Sequence, residues 1–189
     1  MVEPLHANRT NPREGGPTFS LKNRIERLVW SIAWHALGIW TPVPFHAWRR
    51  FLVRIFGARV AGTAKIYPGV SIWYPRNLAM QNYACLGRSV ICYDMDKVVL
   101  GPYALVSQRA HLCCGSHDID DPNFQLFTKP INIGKNAWIA AEAFVGPGVT
   151  VGEGAVLGAR GVAVHDLDPW TVYIGNPARS IRKREKIPG

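Results

Sequence analysis

The residues of this chain best suited to acid–base chemistry lie close together between Cys114 and Pro130. His117 stands in the segment Gly-Ser-His-Asp, and Asp118, Asp120 and Asp121 follow it. An imidazole exchanges its proton near neutral pH, so His117 can act as a general base toward a weak nucleophile. One of the three carboxylates or a backbone carbonyl would hold its second ring nitrogen. Spacing alone leaves open that His117 is an ordinary histidine of a surface loop.

Charge and composition exclude several classes of protein and indicate the kind of partner that this one binds. The chain has 189 residues, with 22 Lys and Arg against 13 Asp and Glu, which gives a net charge of +9. The 48% of hydrophobic residues suffices for a core and excludes wholesale disorder, while the unpatterned Gly and Pro exclude collagen. The basic residues cluster before position 77 and between Arg179 and Lys186, which suggests an anionic partner: nucleic acid, lipid headgroups or a phosphorylated cofactor.

The cysteines and the apolar segments indicate a cytoplasmic protein. The four cysteines contain no CxxC pair and are expected to be buried reduced thiols: Cys85, Cys92, Cys113 and Cys114. The longest apolar stretch, Leu28 to Trp40, has 13 residues, whereas a membrane-spanning helix needs about 20. It also lacks the cleavage site of a secretory signal.

A six-residue period defines the element that must hold the reactive segment. From Ile133 the sequence reads IGKNAW, IAAEAF, VGPGVT, VGEGAV, LGARGV, with an aliphatic first position and Gly or Ala in the second. Six residues advance an α-helix by about 600°, so this pattern cannot be a helical stripe. Short strands joined by tight corners fit it, and three of them close a triangular coil of eighteen residues. The same pattern runs upstream to Ile66 with insertions, which predicts roughly four coils.

The remaining segments set the predicted domain boundaries. Residues 1–20 are expected to be a flexible tail and residues 21–60 a helical cap. The β-solenoid is assigned to residues 61–170. Residues 114–130 are predicted to form a loop that protrudes from it, because they interrupt the aliphatic column. Residues 171–189 form a basic C-terminal tail.

The hexads, the GSHD segment and the closing WTVYIGNPARSIRKR together resemble the hexapeptide-repeat acyltransferases. The resemblance covers about residues 22 to 184 and is nearest to the group that O-acetylates sugars in exopolysaccharide synthesis, of the colanic-acid type. It implies a left-handed parallel β-helix, a homotrimer, and acetyl-CoA bound in grooves between subunits. The expected reaction is acetyl transfer from acetyl-CoA to a hydroxyl of a sugar or glycan acceptor.

The resemblance also implies roles for particular residues. His117 matches the family's general base, Asp94 lies where relatives carry a polar residue facing the acceptor, and Asp118 is a candidate for orienting the base. Residues implied to bind the cofactor are the side chain of Trp138, the backbone of Ala141 and Ala159, the pair Val164 and His165, and the basic residues Arg179 and Arg182. Because many relatives carry Thr-Lys where this chain has Val164-His165, weaker cofactor binding above pH 7 is expected.

Three other interpretations stay open. A zinc enzyme of the carbonic-anhydrase type needs three histidines, but only His111 and His117 lie near each other, so no metal is expected. A non-enzymatic scaffold at the inner face of the membrane is a second reading, because the basic helix Lys22 to Trp40 could contact anionic lipid. Capping of the open end of the solenoid by the same helix is the favoured interpretation, because any solenoid needs a cap. No motif accompanies the charge to indicate nucleic acid.

Overall fold

A computed structural model describes residues 3–186. Within this range the chain forms three α-helices, two 3₁₀ turns and nineteen strands. The helices are Ala7–Thr10 (α1), Leu21–Leu37 (α2) and His46–Ile55 (α3), and the 3₁₀ turns are Pro12–Glu14 and Pro75–Asn77. The strands are Arg59–Val60 (β1), Lys65–Ile66 (β2), Ser71–Ile72 (β3), Leu78–Met80 (β4), Cys85–Leu86 (β5), Ile91–Tyr93 (β6), Val98–Leu100 (β7), Leu105–Val106 (β8), His111–Cys113 (β9), Gly115–His117 (β10), Leu126–Thr128 (β11), Ile131–Ile133 (β12), Trp138–Ile139 (β13), Phe144–Val145 (β14), Thr150–Val151 (β15), Val156–Leu157 (β16), Val162–Ala163 (β17), Thr171–Ile174 (β18) and Arg179–Lys183 (β19).

The strands build a parallel β-solenoid, as the six-residue period predicts, and it is left-handed, as the family resemblance implies. Its three faces are the parallel sheets β1-β4-β7-β12-β15, β2-β5-β8-β13-β16-β18 and β3-β6-β9-β14-β17. In residues 3–186 these strands make five complete coils and begin a sixth, rather than the four expected. The count rises because β1 already belongs to the solenoid and β18 extends it beyond residue 170.

Strand register stacks the aliphatic first positions in three buried columns. On one face Met80 pairs with Leu100, which pairs with Ile133. On the next face Val106 pairs with Ile139, which pairs with Leu157. These side chains are almost completely buried, and the parallel ladders satisfy the backbone groups around them.

At the corners of the solenoid, the second and fourth positions of each hexad meet different structural requirements. A Cβ on Gly134 would lie 2.8 Å from the backbone nitrogen of Glu153 in the next coil, so the second position is small because the backbones approach closely. The left-handed backbone conformation lies two residues later, at Asn136, Glu142 and Arg160, with φ of 57°, 60° and 57°. Glu142 accepts hydrogen bonds from the side chains of Arg109 and Arg160 on neighbouring coils.

Helices α2 and α3 cover the first coil, but not with the apolar stripe that the spacing suggests. Trp30 and Trp34 of α2 are buried and donate their indole N–H groups to the carbonyls of Ile72 (2.7 Å) and Val70 (2.8 Å). Arg49 of α3 is also buried, and its guanidinium donates to the carbonyls of Ile66 and Thr41, among others. Two tryptophans and one arginine thus donate hydrogen bonds to backbone carbonyls at the open end of the solenoid. The aliphatic stripe of α2 faces outward.

Both chain ends differ from the tails expected for residues 1–20 and 171–189. Near the N-terminus, Ala7 is buried and donates its backbone N–H to Gln125 of the loop. At the C-terminus, β18 joins the second face and pairs antiparallel with β19. The pairing of β18 with β19 leaves no signature in the sequence, because backbone pairing needs no particular side chain. The first two and last three residues of the predicted tails lie outside the described residues.

Candidate active site

The segment carrying His117 is an antiparallel hairpin rather than an irregular loop. Strands β10 and β11 pair Gly115 with Thr128 and His117 with Leu126. The hairpin leaves the solenoid after β9 and returns at β12, where the Lys129 N–H donates to the Cys114 carbonyl (2.9 Å). Two pairing strands therefore fix the position of His117 in a segment that the hexad pattern predicted only as an insertion.

A backbone carbonyl orients the imidazole of His117. Its Nδ1 lies 2.8 Å from the Phe124 carbonyl oxygen, and its ring stacks on the Phe124 ring with centroids 4.2 Å apart. A carbonyl oxygen can only accept a hydrogen bond, so Nδ1 carries the proton and Nε2 presents a lone pair. This tautomer is the one a general base requires.

The neighbouring carboxylates hold the hairpin tip instead of the histidine. Asp118 Oδ1 accepts from the backbone N–H of Asp120 (3.1 Å), and Asp121 Oδ1 accepts from that of Asn123 (2.7 Å). Such local bonds are typical of aspartate in turns. Of the orienting groups left open by the sequence, the carbonyl fills the role, and Asp118 does not hydrogen-bond His117.

A cavity of about 300 Å³ opens beside His117. It lies between the hairpin, the N-terminal segment with α2, and one face of the solenoid. Its lining residues are Thr18, Phe19, Arg24, Arg27, Trp73, Tyr93, Met95, His117 and Leu126. The cavity thus combines a candidate base, two guanidinium groups and an aromatic wall.

Asp94 lies behind this wall, in the interior. It is fully buried, and its Oδ1 accepts from the backbone N–H groups of Trp73 (2.9 Å) and Tyr74 (3.0 Å). Burial raises its pKa to about 7, against the lowering effect of these hydrogen bonds. The resemblance implied that the Asp94 side chain faces the acceptor. The structure differs from this prediction, because the insertion around Asp94 turns the carboxylate inward. In this position Asp94 supports the aromatic wall instead of touching a ligand.

The residues implied for the cofactor lie on other parts of the surface. The Trp138 side chain is 42% exposed and donates through Nε1 to Ser107 Oγ (2.9 Å). Ala141 and Ala159 lie on successive coils, and within residues 3–186 neither backbone N–H has a hydrogen-bond acceptor. Both N–H groups are therefore available to a ligand.

A second groove, of about 250 Å³, brings together part of the basic C-terminal set. Val164, His165 and Arg179 line it, beside the Tyr173 ring and Ser180. Arg182 lies further along β19, exposed, with its guanidinium on the Lys183 carbonyl. This groove shares no lining residue with the cavity beside His117. One chain therefore separates the candidate base from the candidate phosphate-binding residues.

The described part of the chain lacks the cluster of side chains that a metal site needs. Residues 3–186 contain no group of three His, Cys, Asp or Glu side chains placed to hold a metal ion. His111 is half-buried against the Phe144 ring, with centroids 5.3 Å apart, and burial lowers its pKa. Its environment is that of a packed core residue.

Sequence comparison places the chain among known proteins. It is 38% identical to WcaF of Escherichia coli (strain K12), named as an acetyltransferase of colanic acid biosynthesis, over 162 residues, which are 86% of this chain and 89% of that protein. The chain belongs to the hexapeptide-repeat acetyltransferases. This acetyltransferase is also 28% identical to the galactoside O-acetyltransferase of the same strain, over 71% of this chain and 68% of that one. No family model matches the sequence.

Solved structures of other acetyltransferases share the fold. A galactoside acetyltransferase in complex with coenzyme A matches with a TM-score of 0.80 at 22% identity, over 96% of this acetyltransferase and 92% of that chain. A maltose O-acetyltransferase from Clostridium difficile 630 matches with a TM-score of 0.79 at 22% identity, over 98% and 94% of the two chains.

The aromatic wall of this acetyltransferase's cavity was not predicted, although the sequence carries a signal for it. Trp73 and Tyr93 each follow a buried first position, Ile72 and Cys92, and so occupy the second position of a hexad. That position is Gly or Ala in the regular coils. A large aromatic ring there marks a face where no coil corner crowds it.

Proposed function

We propose that this acetyltransferase moves the acetyl group of acetyl-CoA to a hydroxyl of a sugar or exopolysaccharide precursor, with His117 as general base. The observation that carries the proposal is the geometry of His117. The Phe124 carbonyl holds Nδ1, and the imidazole lines the 300 Å³ cavity. The names of WcaF and of the galactoside O-acetyltransferase support an acetyl donor and a saccharide acceptor.

The reaction follows from the tautomer of His117. Nε2 accepts the hydroxyl proton as the acceptor oxygen bonds to the thioester carbonyl carbon. The carbon–sulfur bond then breaks, and the leaving thiolate takes the proton back from the imidazolium. Throughout, the Phe124 carbonyl stabilises the Nδ1–H and with it the positive charge. The Ala141 N–H is the candidate donor to the developing oxyanion, since it has no acceptor within the described residues.

The surface between subunits is the proposed place for the cofactor. Solved relatives in the same fold hold coenzyme A or acetyl-CoA. In this chain the guanidinium of Arg179 and the imidazole of His165 line the second groove, where they can meet phosphate, and Arg182 extends the positive charge. Trp138 and the N–H of Ala159 would contact the rest of coenzyme A. A homotrimer would bring this groove to the His117 cavity of a neighbour. A cytoplasmic location is part of the same proposal.

The decisive test is replacement of His117. For His117→Ala we expect kcat for acetyl transfer to fall by about 10²- to 10⁴-fold, because a positioned base contributes that much. Mass spectrometry of candidate saccharides after incubation with acetyl-CoA measures the product. His35→Ala is the matched control, since His35 is exposed on α2 and hydrogen-bonds only within its own helix. Undiminished transfer by His117→Ala would remove the proposed base.

A further inference from the structure

The cavity beside His117 holds two cations and no carboxylate. Arg24 and Arg27 are its charged lining residues, and within residues 3–186 neither forms a salt bridge. Elsewhere the chain does pair its arginines, as Glu142 does with Arg109 and Arg160. The cavity therefore carries positive charge that no carboxylate of the described residues neutralises.

The Arg27 guanidinium is held in a fixed position. Its Nε donates to Asn23 Oδ1 (2.9 Å), and its plane lies over the Trp73 ring, 4.2 Å from the centroid, and near Phe19, 5.5 Å away. Burial lowers its pKa below the ordinary value, which reflects the cost of holding a charge away from water. In residues 3–186 its two terminal nitrogens have no hydrogen-bond acceptor, so the outer edge of the fork is free.

We infer that the acceptor carries an anionic group close to the hydroxyl that is acetylated, and that Arg27 and Arg24 bind it. The guanidinium fork matches a carboxylate or a phosphate in two parallel hydrogen bonds. An acceptor oxyanion would also supply the missing counter-charge. The two sources of this chemistry are the carboxylate of a uronic acid and the phosphate of a glycosyl phosphate. The inference rests on the proposed function, because it assigns the cavity to the acceptor.

The test compares one neutral and two anionic acceptors built on the same sugar ring. We expect kcat/KM with acetyl-CoA to be about tenfold or more higher for methyl glucuronide or glucose 1-phosphate than for methyl glucoside. The better of the two anions identifies the source. Arg27→Met keeps the aliphatic stem against Trp73 and should lower kcat/KM for the anionic acceptors at least tenfold more than kcat/KM for methyl glucoside. Arg88→Met, on an exposed corner of the solenoid, is the control.

The outcomes separate this inference from the proposed function. Equal kcat/KM for neutral and anionic acceptors, or an equal loss on all acceptors in Arg27→Met, overturns the inference and leaves acetyl transfer standing. If none of the three sugars is acetylated, binding of glucuronate and glucose 1-phosphate followed by tryptophan fluorescence decides. Binding that Arg27→Met weakens at least tenfold supports the inference, and binding that is unchanged overturns it.

A second inference comes from the outer surface of the helical cap. Five large aliphatic residues of α2 are at least half exposed, among them Leu21 (67%), Leu28 (60%) and Ile32 (62%). Ile25 and Val29 of α2 line one groove of about 240 Å³ with Ile55 of α3, so the apolar surfaces of the two helices are continuous. Monomeric soluble proteins rarely expose an apolar patch of this extent.

The charge around this patch indicates the kind of partner that it binds. Residues 21–59 contain seven Lys and Arg against one acidic residue, Glu26. Arg49 is buried, and Arg24 and Arg27 line the His117 cavity, which leaves four cations for the outer surface: Lys22, Arg50, Arg54 and Arg59. Glu26 itself is occupied, since it accepts from the Tyr74 hydroxyl and lies 3.6 Å from Arg76. An apolar helix face edged by uncompensated positive charge matches the surface of an anionic bilayer. No helix in residues 3–186 is long and apolar enough to cross a membrane.

We propose that the exposed faces of α2 and α3 lie on an anionic lipid surface, with α2 in the membrane plane. The 17 residues of α2 extend about 25 Å. Its aliphatic face would enter the headgroup region, and Trp30 and Trp34 on the opposite face would stay packed on the solenoid. Leu28 and Ile32 stand one turn apart on the exposed face.

Co-sedimentation of the full chain with vesicles tests this proposal. We expect binding to phosphatidylglycerol–phosphatidylcholine vesicles, weaker binding in high salt, and at least a fivefold loss for Leu28→Gln with Ile32→Gln. Ile181→Gln, an exposed isoleucine on β19, is the matched control and should bind as the wild type does. Equal binding by the double variant overturns the proposal. Absence of vesicle binding, with a double variant that loses an oligomer on size exclusion, would identify a second copy of the chain as the occupant instead.

Discussion

At the scale of single residues, Asp94 links the interior to the candidate site. Its Oδ1 accepts two backbone hydrogen bonds, while Oδ2 is buried without a partner among the described residues. Burial raises its pKa to about 7, from about 3.9 in an unfolded chain. The folded state therefore binds this proton more tightly than the unfolded state does. The contribution of this group to the free energy of unfolding decreases as pH rises from about 4 to 7 and levels off above 7.

Asp94→Asn should remove this pH dependence. The amide oxygen can still accept from Trp73 and Tyr74, and the side chain does not ionise. We expect the variant to gain stability relative to wild type between pH 5 and pH 8, on the order of 2–4 kcal/mol. Urea unfolding at the two pH values measures the difference, and Asp120→Asn, on the exposed hairpin tip, is the control. Parallel stability curves for wild type and Asp94→Asn would contradict a buried, protonatable carboxyl.

His117 and its support illustrate what could be predicted of the site. The histidine was singled out because it stands in a polar insertion within an otherwise apolar repeat and because the GSHD segment resembles that of the family, and its role as base stays a prediction. Its orienting group was not predictable, because a backbone carbonyl leaves no trace in the sequence. The cavity's Arg27 was visible only as one more basic residue, since its position over Trp73 depends on the packing of α2 against the solenoid.

At the scale of elements, the close approach of successive coils makes a direct prediction. A methyl group at position 134 would lie 2.8 Å from the Glu153 nitrogen and 2.9 Å from the Gly152 carbonyl carbon, both of them backbone atoms. Backbone cannot move aside as a side chain can, so Gly134→Ala should destabilise the fold by about 1–3 kcal/mol.

Gly62→Ala supplies the comparison for this prediction. A Cβ at Gly62 meets no atom within 4 Å, and its φ lies outside the left-handed region. We therefore expect this variant to be neutral or slightly stabilising. Chemical denaturation of the two variants measures the difference. If both changed stability equally, the small second position of the hexad would have to reflect something other than coil spacing.

Some of the secondary-structure elements could be predicted from the sequence, and the placement of others could not. The hexads predicted the solenoid because each repeat contributes the same buried position, so a local pattern fixes the global fold. The orientation of α2 was not predictable in this way. Its aliphatic residues follow helical spacing, which ordinarily marks the buried face. The structure instead buries Trp30 and Trp34, whose indoles satisfy two free carbonyls of the first coil.

At the scale of the whole molecule, one chain does not assemble the candidate site. The cavity with His117 and the groove with His165 and Arg179 have separate linings. The corner N–H groups of Ala141 and Ala159 and the half-exposed Trp138 lie on outer surfaces that a neighbouring solenoid could cover. Closed cyclic assembly would pair one chain's base with the next chain's cofactor groove at every interface.

Complementation between two inactive variants tests this assembly. His117→Ala lacks the base, and Arg179→Ala with His165→Ala lacks the cofactor contacts, so each variant alone should have little activity at low acetyl-CoA concentration. Co-expressed in equal amounts with different tags, the two should form mixed trimers, and the unfractionated mixture should regain about one quarter of wild-type activity. Random assortment gives that fraction of all interfaces an intact base facing an intact groove, whereas trimers purified through both tags should regain about one third. Light scattering should give a mass of three times 21.0 kDa for every species. Mixed trimers of that mass without recovered activity would mean that the base and the cofactor residues serve the same subunit's site.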